Sequence, residues 1–185
     1  AVWCPRLACV KYCGSEAERA ALREELRAME AEGNGPDVLL ATYSAFERES
    51  SAAREERSFL AKRRFRYVVL DEAHSVKNAQ SARYRNLARL PCRHRLLLTG
   101  TPLENSCKEL GTLLGFLMPG LITGEVRDRL GEADRDPTVL AQLRRVVAPF
   151  VLRRLKSEVL GQILLPKEER VLRVAMGEEQ RRAYE

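Results

Sequence analysis

The sequence predicts an α/β domain, a mostly parallel sheet flanked by helices, followed by a helical C-terminal extension. Three apolar runs of strand length carry that expectation: VLLATY (38–43), RYVVLDE (66–72) and RLLLTG (95–100). They are continuously apolar rather than alternating, as strands buried on both faces are, and helix-forming segments separate them.

Before the first run, Ser15 and Glu18 form a capping-box pattern ahead of Leu22, Leu26 and Met29 at helical spacing, and Gly33 closes the segment. Charged residues on the other positions predict a surface helix. The loop GNGPD (33–37) leads into the first strand. Residues 47–66, rich in charge and serine, read as an exposed helix or loop. The second strand ends at Asp71, a polar helix is expected over about 79–90, and the third strand follows. Apolar helical spacing returns over 110–118 and stops at Pro119-Gly120. Residues 123–137 read as an exposed polar loop. Leu140, Leu143, Val146 and Val147 predict an amphipathic helix ended by Pro149, and ILLPKEERVLRVAM (163–176) reads as a turn and a strand leaving the domain.

A chain of 185 residues is long enough for one domain with a sizeable core, or one domain plus an extension. Lys+Arg 32 against Asp+Glu 26 gives a net +6, which favours an anionic partner, nucleic acid first. The five cysteines are odd in number. Cys4, Cys9 and Cys13 cluster, and Cys92 lies two before His94, but the spacings match no common zinc knuckle, so free thiols in a reducing compartment are expected. No apolar run approaches the ~20 residues a membrane helix needs, and no membrane partner is expected. The chain opens AVWCP without an initiator methionine or a signal peptide, which reads as a fragment or an incomplete gene model.

In an open α/β sheet, ligands sit beyond the carboxyl ends of the strands. That rule puts Thr42, Asp71-Glu72 and Thr99-Gly100-Thr101 on one rim. A strand-tip carboxylate such as Asp71 can hold Mg²⁺, a hard cation that keeps several waters, and a neighbour such as Glu72 can orient or deprotonate an attacking water. Either dipeptide alone is an ordinary strand-to-turn junction. DEAH (71–74) followed about 25 residues later by LTGTP (98–102) is a joint signal, because order and spacing are both constrained.

DEAH with LLLTGTPLEN (96–105) resembles motifs II and III of helicase superfamily two. DEAHSVKN (71–78), LLGFLMPG (113–120), PFVLRRLKSEV (149–159) and LPKEER (165–170) are similar to the SWI/SNF-type chromatin-remodelling ATPases. WCPRL (3–7), YCGSEAERAALR (12–23) and LMPGL (117–121) resemble the branch of SWI/SNF-related regulators of chromatin that contain a DEAD/H box. The resemblance implies a partial RecA-like (P-loop NTPase) lobe. It would divide into a lobe-one portion over 1–122, a helical protrusion or linker over 123–165, and the start of lobe two over 166–185.

It further implies ATP and Mg²⁺ as cofactors, double-stranded DNA and nucleosomes as partners, and a nuclear location. Asp71 would coordinate Mg²⁺ and Glu72 serve the hydrolytic water. His74, Thr99, Gly100 and Thr101 would couple the ATP state to movement. Thr42, Lys77, Asn78, Arg153, Arg154 and Lys156 would contact DNA. Two positions depart from the pattern: Glu104, where the family usually has glutamine, and Ala73, where the close branch often has glycine. Other readings are a different superfamily-two member, such as a DNA-repair translocase or an RNA helicase, and a catalytically inactive DNA- or histone-binding module. The LRRLKSEV block argues against an RNA helicase.

A phosphate cradle needs G-x-x-x-x-G-K-[ST], and none of Lys11, Lys62, Lys77, Lys108, Lys156 and Lys167 follows a glycine. The family places that loop upstream of WCPRL and an arginine finger in a second lobe. The expectation is negligible ATPase activity from these 185 residues alone.

Overall fold

The computed structural model describes residues 3–100, 107–132, 138, 141, 145–160 and 168–184. Its chain order begins with strand β1 (Cys9–Tyr12), helix α1 (Glu16–Ala31), strand β2 (Val38–Ala41) and a 3-10 turn over Tyr43–Phe46. Helix α2 (Ser51–Ala61), strand β3 (Phe65–Leu70) and a second 3-10 turn (Ala73–Val76) follow. Helices α3 (Ala82–Ala88), α4 (Cys107–Leu117) and α5 (Gly124–Glu132) complete this unit, with strand β4 (Cys92–Leu97) between α3 and α4.

β1 pairs in parallel with β2, Cys9 opposite Val38, and β3 pairs in parallel with β4, Phe65 opposite Cys92. The parallel prediction holds, but among the described residues the strands form two two-stranded sheets rather than one. β1 is also a strand that the sequence reading omitted, since CVKY has a lysine and only four residues to announce it. Parallel neighbours need a crossover, and α1 and α3 supply one for each pair.

α1 begins as predicted. The Glu18 amide donates to Ser15 Oγ at 3.3 Å and the Ser15 amide donates to Glu18 Oε2 at 2.6 Å. That backbone bond holds the Glu18 carboxyl below the ordinary glutamate range. Gly14, just ahead, has φ +111°, and a Cβ there would lie 2.6 Å from the same carboxylate, so both backbone and space demand glycine.

α1 is the surface helix expected, although Arg19 and Arg23 on it are buried, and the expectation of an exposed helix or loop over 47–66 is corrected by α2. Glu56 on α2 is fully buried, and Arg19 Nε of α1 donates to its Oε1 at 2.8 Å. Arg19 also reaches the Gly14 carbonyl, and Arg23 Nη1 donates to the Tyr12 hydroxyl at 3.3 Å. The tyrosine bond is the main reason the Arg23 guanidinium is held above its usual pKa. Around this network Tyr12, Leu26, Phe59 and Leu60 pack into one core with Val68, Leu70, Val76, Tyr84, Leu87 and Phe116. Residues 53, 56, 59 and 60 recur at helical spacing; the charged residues around them masked that pattern in the sequence.

The loop expected over 123–137 is also corrected in its described part, where α5 runs along α4. Gly111 lets the two helices approach, because a Cβ there would meet Leu130 Cδ1 at 3.2 Å. Arg95 of β4 ties these layers together, donating to the Phe116 carbonyl at 2.6 Å and the Ala88 carbonyl at 2.8 Å.

The chain divides into two compact units, Ala1–Gln142 and Leu143–Glu185. The second is a helical extension with a 3-10 turn (Ala148–Phe150) and short helices Lys156–Leu160 and Glu178–Tyr184. Of the turn and strand expected over 163–176, residues 163–167 lie outside the described residues, and residues 168–177 carry no regular structure.

Two outcomes test this packing. Glu56→Ala strands Arg19 in the core and is expected to lower unfolding free energy by about 3 kcal/mol or more in urea denaturation. The Glu18 carboxyl is more acidic in the fold than the ordinary 4.5, so its contribution is complete above that pH and lost as pH falls through the lowered value. Glu18→Gln should therefore remove part of the acid dependence of helicity measured by circular dichroism.

Candidate nucleotide and nucleic-acid site

The carboxyl ends of β2, β3 and β4 deliver their following residues to one rim, as the strand-end rule requires. Leu98 continues the β3–β4 ladder by donating to the Leu70 carbonyl at 2.8 Å. Its own carbonyl then accepts the Ala73 amide at 2.9 Å. These two bonds bring Asp71-Glu72 beside Thr99-Gly100. Thr101 and Glu104 lie outside the described residues.

Between Leu70 and Ala73 the backbone must turn sharply enough to send the Ala73 amide back to β4. Glu72 accomplishes this with φ 48° and ψ 50°, the one left-handed non-glycine residue among those described. A side chain in that region is held at a cost of ~1 kcal/mol or more, and such strain concentrates at functional sites. Ala73 is then fully buried, as is Val76 at the end of the turn. The methyl of Ala73 fits this core position, so the departure from glycine is accommodated.

The carboxylates themselves face outward. Asp71 Oδ1 accepts the Glu72 amide at 3.0 Å, and Glu72 Oε2 lies 3.2 Å from His74 Nδ1, with both of those side chains more than half exposed. Lys77 Nζ reaches Glu109 Oε1 of α4 at 3.0 Å. Asn78 has a local structural role: its Oδ1 accepts the Gln80 amide at 2.9 Å and its carbonyl accepts the Ser81 hydroxyl at 2.7 Å. Ser81 in turn caps α3 by accepting the Tyr84 amide at 3.1 Å. Thr42 is exposed directly after β2, its Oγ1 2.8 Å from Ser44 Oγ.

Sequence reasoning missed the residues that connect Thr42 to Asp71. Tyr43 donates its hydroxyl to the Asp71 carbonyl at 2.5 Å, and burial pushes its phenol pKa up. The Arg83 guanidinium lies 5.0 Å from the centre of the Tyr43 ring, donates to the Ser75 carbonyl at 3.0 Å and contacts Glu47. Tyr43 directly follows Thr42 at the end of the VLLATY run but carried no role of its own in that reading, and Arg83 lies in a segment that reads only as a polar helix.

Tyr43 also spans a gap. β2 and β3 do not pair, and a groove of about 210 Å³ between them is lined by Leu40, Thr42, Tyr43, Tyr67, Val69 and Asp71. Of the residues lining it, Leu40, Tyr67 and Val69 are each about half exposed.

Chemically, a strand-tip carboxylate with a second carboxylate beside it suits Mg²⁺, which takes few protein oxygens and keeps water and phosphate ligands. Asp71 fits as such a ligand, and no group of three or more His, Cys, Asp or Glu is placed to hold a metal without phosphate help among the described residues. The 185 residues contain no phosphate-loop motif to complete the donor set. Arg153 and Arg154 lie in the second unit, exposed in the extended stretch before Lys156–Leu160. Lys156 begins that helix, and its side chain lies outside what is described.

A parallel α/β lobe with paired carboxylates at a strand tip is the arrangement of RecA-like nucleotide-hydrolysing domains. Residues 1–185 match the SNF2-related domain, and the chain belongs to that family. It is 40% identical over 188 residues to Protein CHROMATIN REMODELING 19 of Arabidopsis thaliana, covering 98% of this chain and 24% of that protein. It is 35% identical over 193 residues to the SWI/SNF-related matrix-associated actin-dependent regulator of chromatin subfamily A containing DEAD/H box 1A of Danio rerio, covering 100% and 19%. Among solved structures, the Sulfolobus solfataricus SWI2/SNF2 ATPase core in complex with dsDNA superposes with a TM-score of 0.64 at 26% identity, over 82% of this chain and 29% of that one. The chain thus spans about a fifth to a quarter of the length of these curated relatives.

The strained turn has a measurable consequence. Glu72→Gly is expected to leave unfolding free energy within about 0.5 kcal/mol, relief of strain offsetting backbone entropy, whereas Glu72→Val should lower it by about 1–2 kcal/mol in chemical denaturation.

Proposed function

We propose that this chain forms the DEAH-bearing part of the ATP-hydrolysing lobe of a DNA-translocating chromatin remodeller, acting on nucleosomes in the nucleus. The observation that carries the reading is the hydrogen-bonded relay Leu70–Leu98–Ala73, which sets the Asp71-Glu72 pair against Thr99-Gly100 on the rim that also presents Thr42. Family membership and the likeness to a SWI2/SNF2 ATPase core support it. In this reading residues 1–122 belong to lobe one, 123–165 to a helical protrusion and 166–185 to the start of lobe two.

Asp71 would hold Mg²⁺ through its outward carboxylate oxygen. Mg²⁺ bound with ATP would neutralise charge developing on the phosphates. Glu72 would orient the attacking water and accept its proton, with His74 steadying the Glu72 carboxylate from 3.2 Å. Thr99, Gly100 and Thr101 would respond to the state of this pair, since the Ala73–Leu98 bond joins the two turns. Thr42, Lys77, Asn78, Arg153, Arg154 and Lys156 would contact DNA, where basic side chains on phosphates supply sequence-independent affinity. Lys77 would exchange its bond with Glu109 for a phosphate.

The test is duplex-DNA-stimulated ATP hydrolysis by the intact protein. Glu72→Gln is expected to lower kcat by about 10²-fold or more while ATP binding persists, and Asp71→Asn to weaken Mg²⁺-dependent nucleotide binding. The 185-residue chain alone is expected to turn over ATP negligibly. Hydrolysis by that chain, abolished by Glu72→Gln, would show that it completes its own phosphate site and overturn this part of the reading.

A further inference from the structure

We propose that Tyr43 and Arg83 form a bracket that positions the Asp71-Glu72 peptide and couples it to the turn carrying Thr42, so that contact at Thr42 adjusts the hydrolytic carboxylate. This rests on the functional reading above and assigns to it two residues that touch neither phosphate nor metal. They are positioning residues.

The physical basis is the peptide unit between Asp71 and Glu72. Its carbonyl belongs to Asp71 and its nitrogen to Glu72, so fixing its plane restricts the φ rotation of Glu72, the one strained backbone angle in the loop. Tyr43 fixes that plane by donating to the carbonyl at 2.5 Å. Arg83 fixes the far end of the same loop through the Ser75 carbonyl at 3.0 Å. The two anchors also stack, guanidinium over ring at 5.0 Å, so neither moves alone.

The bracket connects outward as well. Tyr43 opens the 3-10 turn immediately after Thr42, and Thr42 Oγ1 is 2.8 Å from Ser44 Oγ in that turn. Asn86 Nδ2 of α3 holds the turn's last carbonyl, that of Phe46, at 2.8 Å, and Arg57 Nη1 of α2 donates to the Ala45 carbonyl at 3.2 Å. β2 and β3 share no ladder, so among the described residues the Tyr43 hydrogen bond and the Arg83 contacts with Glu47 and Ser75 tie the two strand-end turns together. A displacement of Thr42 therefore reaches the Asp71-Glu72 loop through these two side chains. Shifts well below 1 Å at a hydrolytic base are enough to change rate, since a misplacement of ~1 Å reaches 10²-fold.

Tyr43→Phe isolates the hydroxyl while keeping the ring beneath Arg83. In the intact protein it is expected to lower DNA-stimulated kcat about tenfold, with ATP KM and DNA affinity each within about twofold of wild type. Duplex DNA should slow amide exchange across residues 71–76 in the wild type and fail to do so in Tyr43→Phe. An unchanged kcat, or protection that persists in Tyr43→Phe, overturns the bracket while leaving the functional reading intact. A loss of DNA affinity matching the loss of kcat makes Tyr43 a DNA contact and also overturns it. If wild-type protein shows no DNA-stimulated hydrolysis, the functional reading itself fails and the bracket with it.

Discussion

The left-handed backbone at Glu72 organises the rim, and it exists because the amide of Ala73 must reach the carbonyl of Leu98. A β strand that simply continued past Leu70 would carry the Asp71 and Glu72 side chains on opposite faces of the sheet. Reversing the chain at Glu72 places Ala73 in the core and leaves both carboxylates outside. The strain at this residue is balanced by complete burial of Ala73 and Val76 and by hydrogen bonds at both ends of the loop. A strained residue persists only when its surroundings over-determine it, and here backbone, core and side-chain donors all converge on six residues.

The same logic explains which parts of the molecule its sequence disclosed. β2, β3 and β4 were readable from their apolar runs, although the expected burial on both faces is not met, since Leu40, Tyr67, Val69 and Leu96 are about half exposed; α1 was readable because a capping box is a local device with local residues. β1 was not, since four residues with one lysine carry too little pattern. α2 was misread for a physical reason: its buried face includes Glu56, and a buried carboxylate looks like surface until Arg19 is known to meet it 37 positions away. Long-range pairs of this kind leave no periodic trace. At the site, Asp71, Glu72, Thr99 and Gly100 were legible as strand-end residues, whereas Tyr43 and Arg83 were not, because their importance lies in carbonyls they hold rather than in any motif they spell.

Charge tells a similar story. The net positive balance suggested an anionic partner, yet much of the arginine in the first unit is consumed internally. Arg19 and Arg23 serve Glu56, Arg63 chelates Glu30 while covering Phe59, Arg83 brackets the DEAH loop, and Arg95 closes the α3–α4 layer. Guanidinium groups suit this work, since several donors in a planar fork can satisfy two carbonyls or a carboxylate and a ring at once. The count of arginines thus overstates the basic surface of the first unit, and residue-level placement is what separates a structural arginine from one placed to meet phosphate.

The unpaired edges of β2 and β3 add a final constraint. Among the described residues β2 and β3 do not pair with one another, and an apolar groove is lined by residues of both. The two sheets hold their spacing through the helical layer and the Tyr43 reach, not through a ladder. A ladder between β2 and β3 would fix Thr42 against Asp71 by several backbone bonds; here the side chains of Tyr43 and Arg83 span the two turns instead. The separation of the proposed DNA contact from the proposed metal ligand is consequently adjustable in this chain.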